Sequence, residues 1–287
     1  MTSAIAAART KLVRNGLLGF LRYGLMILLG TMFIIPLYWM ILTSFKTSGE
    51  AYLFPPSWFP HPVSLEGYQA IWGGIIPFNL FIVNSIIITS LSVIGTVASS
   101  TLVAYAFARL RWWGRNFWFV VLLATMMLPY EVVMIPIYII FRKLGWLDTF
   151  LPLIVPNFLG NAFFIFLIRQ FFLAFPKELE DAARVDGANS LRILWQIILP
   201  NSMPVMLTVA LFSFIGSWND FLGPLIYLHQ MEQMTVAVGL SMFAGFRSPN
   251  WTAIMAGATI SLLPIMLAFV IFQRYFVKGI VLTGIKG

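Results

Sequence analysis

Six apolar runs, each long enough to cross a bilayer as a helix, leave this chain few ways to fold. A helix rises about 1.5 Å per residue and a hydrocarbon core is about 30 Å thick, so roughly twenty residues make one crossing. The runs lie near 23–43, 78–108, 117–141, 150–172, 201–228 and 251–276. With 60% hydrophobic and 10% charged residues, a soluble domain of this length has no use for so much apolar surface. The expected fold class is an all-α membrane protein with six transmembrane helices, because a helix satisfies its own backbone in lipid. A cleaved signal peptide competes for the first run. That run is long and no small-residue cleavage site follows it, so it reads as an uncleaved span.

Six crossings put both ends on one side. The basic flank of the first run, the turn at 109–115, the loop 169–200 and the end from Arg274 fall there. They hold all but four of the 18 Lys and Arg, the exceptions being Lys46, Arg142, Lys143 and Arg247. The positive-inside rule then places both termini and the loop of this multi-pass protein in the cytoplasm. The net charge of +8 is therefore a matter of topology and not a nucleic-acid footprint. The chain divides into a cytoplasmic segment 1–22, a first span with its external loop 23–77, a core 78–276 and a cytoplasmic tail 277–287. Within the external loop, the Pro- and Trp-rich stretch 44–77 is too irregular to cross lipid and is expected against the membrane surface.

Nothing here reads as an active site. There is no cysteine, and His61 and His229 stand far apart, so thiolate chemistry and a metal site are not expected. No G-x-x-x-x-G-K-[ST] is present, and the terminal G-I-K-G lacks its spacing. No nucleophile–base set is suggested either. A few polar positions inside the spans stand out. Ser92, Thr96, Ser100, Ala104 and Ala108 recur every four residues and form one small-residue stripe, suited to close helix packing or to lining a path. Glu131, about 21 Å along a straight helix from Phe117, falls in the outer half of the bilayer. It either serves transport, or caps backbone freed by Pro129 and Pro136 or meets water there. Trp218, Asn219 and Asp220 lie near the outer end of the fifth run, where they either anchor the interface or meet solute at a broken helix.

The one long polar interruption in the second half is 176–200. Pro176 suits a first helical turn. Glu178, Glu180 and Asp181 follow, where a helix dipole favours negative charge. Ala182 and Ala183 leave a bare face, Gly187 can end the helix in a left-handed turn, and Asn189 or Ser190 can cap the next. The reading is helix, glycine bend, helix: an exposed knob built to be gripped.

The spacing Asp181-Ala182-Ala183, three residues, Gly187, nine residues, Ile197, one residue, Leu199-Pro200 resembles the "EAA" loop of bacterial ATP-binding-cassette importer permeases. Asp181 stands where that family usually has Glu. The form E-L-E-D-A-A-R-V-D-G-A-N, Glu178 to Asn189, is similar more narrowly to the carbohydrate uptake group, including the maltose and glycerol-phosphate permeases. M-L-P-Y-E-V-V-M-I-P from Met127, G-W-L-D-T from Gly145, R-Q-F-F from Arg169 and W-N-D-F-L-G-P-L-I from Trp218 extend the likeness from about Phe78 onward. The resemblance implies the type I importer permease fold and a subunit without its own ATPase. It also implies a second permease subunit, an ATPase dimer that binds ATP and Mg²⁺, a solute-binding protein outside and a carbohydrate cargo, all in the lipid of a bacterial inner membrane. It makes Glu178, Glu180, Asp181, Ala182, Ala183, Asp186 and Gly187 the ATPase-coupling residues, and Glu131, Asn219, Asp220 and Ser100 candidates for the translocation path. The tail 283–287 is implied as a second ATPase contact. An ion-gradient-driven secondary transporter is the alternative. It would need coupling carboxylates in two corresponding halves, and Glu131 is the one weak candidate.

Overall fold

The computed structural model describes residues 2–74, 76–245 and 249–283, with side chains over 18–74, 76–245 and 249–273. Among the described residues, every regular element is helical.

One compact unit comprises Met1–Ile71 with Phe243–Thr259. Helix α1, Thr2–Ser44, runs without a break from the basic flank through the first apolar run. The loop after it is organised by two buried charges, Lys46 and Glu50. Lys46 Nζ donates to Ser57 O at 2.7 Å and lies 4.3 Å from the centroid of the Trp39 ring. The Glu50 carboxylate accepts from Ser57 Oγ at 2.6 Å and from His61 N at 3.1 Å. These bonds favour the ionised form, and the Ser57 hydroxyl above all holds Glu50 below the usual carboxylate range. Helix α2, Glu66–Gly73, follows.

The other unit comprises Trp72–Met242 with Ile260–Gly287. Its axis is α3, Phe78–Arg109, an apolar helix with a buried stripe of small and polar residues. After it come α4, Arg115–Thr125, and α5, Tyr130–Lys143, then α6, Leu151–Ile154, a 3₁₀ segment Val155–Leu159 and α7, Ala162–Leu173. Asn161 starts α7 by accepting from Phe163 N and Phe164 N, as an N-cap does. Helices α8, Glu178–Val185, and α9, Ser190–Ile193, lead through a π-helical turn, Leu194–Ile198, and α10, Leu199–Asn201, into α11, Met203–Trp218. Then come α12, Leu222–Tyr227, and α13, Val236–Met242; α14, Trp251–Thr283, belongs to the first unit up to Thr259 and to this one from Ile260.

Among the described residues, four stretches are long and apolar enough to cross a membrane: Leu18–Ser44, Phe78–Arg109, Leu151–Leu173 and Trp251–Gln273. Two bent pairs bring the number to six when each is one span. Helices α4 and α5 meet at 98°, and Ser190–Asn201 meets Met203–Trp218 at 80°. The third run is thus not one straight helix. Pro129 sits extended at φ −64° and ψ 144°, and a proline disfavours helix in the residue before it, so α4 has stopped by Leu128. The distance of Glu131 along a straight helix from Phe117 therefore does not apply. The fifth run also breaks, at Asn219 and Asp220. Among the described residues, an apolar core lies around the Arg109 end of α3. There Ala104, Tyr105, Ile165, Ile168 and Phe172 enclose Ile193, Leu194 and Ile198 from the polar loop's second half.

Candidate functional site

Helix α8 begins at Glu178, with Lys177 as its unassisted N-cap; Pro176 lies outside it. Glu178, Glu180 and Asp181 do occupy the first turn. At the other end Ala188 N donates to Ala183 O at 2.9 Å and Gly187 N to Arg184 O at 3.0 Å, the paired bonds of a Schellman stop. Gly187 adopts φ +81°, which an L side chain resists. Asn189 Oδ1 then accepts from Arg192 N at 2.9 Å and opens α9.

Helical spacing sorts this loop into two faces. Glu178, Asp181, Ala182 and Val185 fall on one stripe, at intervals of three and four, and all are exposed; Asp186 beyond them is exposed too. Val185 is 88% exposed and Leu179 beside the stripe 48%, both apolar side chains offered outward. Glu180 and Ala183 lie on the opposite stripe. Ala183 and Ala188 pack on the core, and Tyr105 Oη donates to Ser190 O at 3.0 Å. Glu180 is only 5% exposed. Its Oε1 stands 3.0 Å from Arg109 Nε, close enough for an ion pair, though the N–H does not point at it as in a hydrogen bond. Arg109 Nη2 instead donates to Phe175 O at 2.6 Å and to Phe172 O. One guanidinium thus ties the end of α3 to the end of α7 and to α8.

Sequence reasoning grouped Glu180 with the partner-facing carboxylates; the structure turns it inward. It also passed over Arg109, Leu179 and Val185. The outward Leu and Val were legible as apolar positions inside a charged helix. The Arg109 pairing was not, because nothing local marks a partner so distant in sequence.

The candidate path residues do not gather into one site. Ser100 is fully buried and accepts from Asn161 N at 3.4 Å, so it faces a packed interface. The rest of its stripe behaves alike. Ser92 Oγ donates to Leu153 O at 3.1 Å and accepts from Asn157 Nδ2 at 3.2 Å. Thr96 Oγ1 meets Asn157 Oδ1 at 3.4 Å, and Ala104 is fully buried. Packing is therefore what the stripe does. Glu131 is exposed in the first turn of α5, and among the described residues its carboxylate takes no hydrogen bond, so it is not a cap. Trp218 is buried and donates from Nε1 to Ser261 O at 3.1 Å. Asn219 is exposed and bonds back to Ile215 O at 3.0 Å. Asp220 Oδ1 accepts from Gly223 N at 3.1 Å, and a Cβ on Gly223 would come within 2.5 Å of the other carboxylate oxygen. Of the tail 283–287, residues 284–287 lie outside the described residues.

Residues 100–282 match the family described as the binding-protein-dependent transport system inner membrane component. The chain is 34% identical over 257 residues to a probable ABC transporter permease protein, YurM, of Bacillus subtilis, covering 88% of this chain and 83% of that one. It is 32% identical over 260 residues to the arabinooligosaccharides transport system permease protein AraQ of Halalkalibacterium halodurans, covering 88% and 91%. A bacterial ABC transporter involved in the import of the acidic polysaccharide alginate contains a chain of the same fold. The TM-score is 0.81 at 24% identity, over 91% of this chain and 96% of that one.

Proposed function

This chain belongs to the family of inner-membrane components of binding-protein-dependent transport systems, and from that premise we propose that it works as a permease subunit of an ATP-driven carbohydrate importer, with α8 as its coupling helix. Family membership sets aside the ion-gradient-driven carrier. The arabinooligosaccharides named for one relative support a carbohydrate cargo. A second permease subunit completes the path, a pair of ATPase subunits binds ATP and Mg²⁺ and docks on α8, and an extracytoplasmic binding protein delivers the sugar. This chain hydrolyses nothing itself. Its termini and α8 face the cytoplasm, as the distribution of Lys and Arg requires.

The observation that carries the reading is the two-faced build of α8. Its outer stripe offers Leu179, Ala182 and Val185 between the carboxylates of Glu178 and Asp181. Small and apolar groups allow close approach to a cleft, and the carboxylates meet basic groups at its rim. Its inner stripe is fixed by Glu180, Arg109 and the apolar core. A push on the outer stripe therefore passes to α3 and α7 together, which suits a rigid-body switch between inward- and outward-facing states.

The chain has no cysteine, so a single one placed at Val185 gives a clean probe. Val185→Cys should react with a maleimide in the isolated permease pair and become protected when the ATPase subunits bind. Equal labelling with and without them would contradict docking on α8.

A further inference from the structure

Beside the coupling helix, the Arg109 end of α3 borders a cleft of about 1140 Å³. Its charged lining consists of Arg109, Arg111, Arg115, Lys177 and Arg184 against Glu180 and Asp181. Arg109 is matched by Glu180, and Arg115 Nη1 donates to Leu110 O at 3.1 Å. Arg111, Lys177 and Arg184 form no ion pair among the described residues, so the cleft keeps an excess of positive charge. Next to it Phe107, Trp112, Trp118, Val121 and Leu122 line an apolar pocket of about 460 Å³. Trp112 lines both cavities. Trp113 beside it is 94% exposed.

Indole rings alternating with basic side chains at the end of a transmembrane helix mark the headgroup level of a bilayer. A basic pocket there attracts anionic lipid, and the cytoplasmic leaflet is the negatively charged one. A soluble phosphate would use the cleft alone and leave the apolar pocket idle. A phospholipid uses both, since α4 carries the exposed side chains of Trp118 and Val121 from the cleft into a spanning pair. We propose that the two cavities, which meet at Trp112, together seat one phospholipid with an anionic headgroup. Its phosphate lies at Arg111 and Lys177, and one acyl chain lies against Trp112, Trp118 and Leu122. This rests on the reading above that α8 and the end of α3 face the cytoplasm, beside the ATPase.

The test uses the assembled transporter, delipidated in detergent and offered dioleoylphosphatidylglycerol or dioleoylphosphatidylcholine at equal concentration, with retained lipid counted by native mass spectrometry. Phosphatidylglycerol should be retained over phosphatidylcholine. Arg111→Gln and Lys177→Gln should each weaken that preference about fivefold, the effect of one basic side chain at an anionic surface. Neither side chain holds a hydrogen bond among the described residues, so both variants are expected to fold; Trp118→Ala should weaken retention of both lipids. Equal retention of the two lipids by the unaltered transporter overturns the proposal. So does displacement of the bound lipid by inorganic phosphate, which marks a soluble-anion site. Retention by the permease pair that vanishes on adding ATPase subunits assigns the cleft to the ATPase and also overturns it. Lipid binding is read without transport, so a transporter that fails to take up sugar leaves this result standing on its own.

Discussion

At the scale of single residues, Arg109 pairs with Glu180 where both side chains are nearly inaccessible. Removing one partner of a buried pair strands the other charge, which typically costs about 3–5 kcal/mol. Glu180→Ala should therefore lower stability by about that amount, read as a fall in the denaturation midpoint of the purified protein. Asp181→Ala, on the outer stripe, should leave the midpoint unchanged. A second residue-level prediction concerns pH. The Ser57 hydroxyl holds the Glu50 carboxyl below its ordinary value of 4.5, so the folded form binds its proton less readily than the unfolded one. The resulting stability is present above the ordinary value and is lost as pH falls through the lowered one. Melting temperatures measured across the acid range should converge for the unaltered protein and Glu50→Gln as that window is crossed, having differed at neutral pH. Parallel profiles would mean that the Ser57 bond does not hold Glu50 down.

At the scale of elements, the turn at Gly187 decides whether α8 and α9 keep their angle. A Cβ there would touch nothing within 4 Å, so any penalty comes from the left-handed backbone itself. That penalty is roughly 1–2 kcal/mol for a side chain, and most for a β-branched one. Gly187→Val should leave the protein in the membrane while sugar uptake per ATP hydrolysed falls sharply in proteoliposomes. An unchanged ratio would remove the turn from the coupling path. The loop was legible because its signals are local: a carboxylate-rich first turn, a glycine stop and an Asn cap lie within a few residues of one another. Six apolar runs were legible for the same reason. Their straightness was not. Proline at 129 marks where the helix is interrupted, but it does not by itself give the 98° angle between α4 and α5. The stripe through Ser100 reads alike for packing and for a path until Asn157 and Leu153 are seen against it. Glu180 misled for a related reason, since a carboxylate in a first turn satisfies the dipole whichever way its side chain faces.

At the scale of the whole molecule, the account makes this chain half of a moving pair with no energy source of its own. The bundle around α3 joins α7, α11 and the polar loop's second half through one core, and Ala183 of α8 packs against it. Of the four candidate path residues, Glu131 and Asn219 are exposed and Asp220 partly so, and all three lie close to the breaks that interrupt the third and fifth runs. The direct measurement is uptake of a radiolabelled oligosaccharide into proteoliposomes that hold this chain, its partner permease and the ATPase subunits, with the binding protein outside. The account predicts accumulation only when ATP is enclosed, unaffected by ionophores and abolished when the ATPase subunits are omitted. Accumulation without ATPase subunits that collapses with the ion gradient would contradict it.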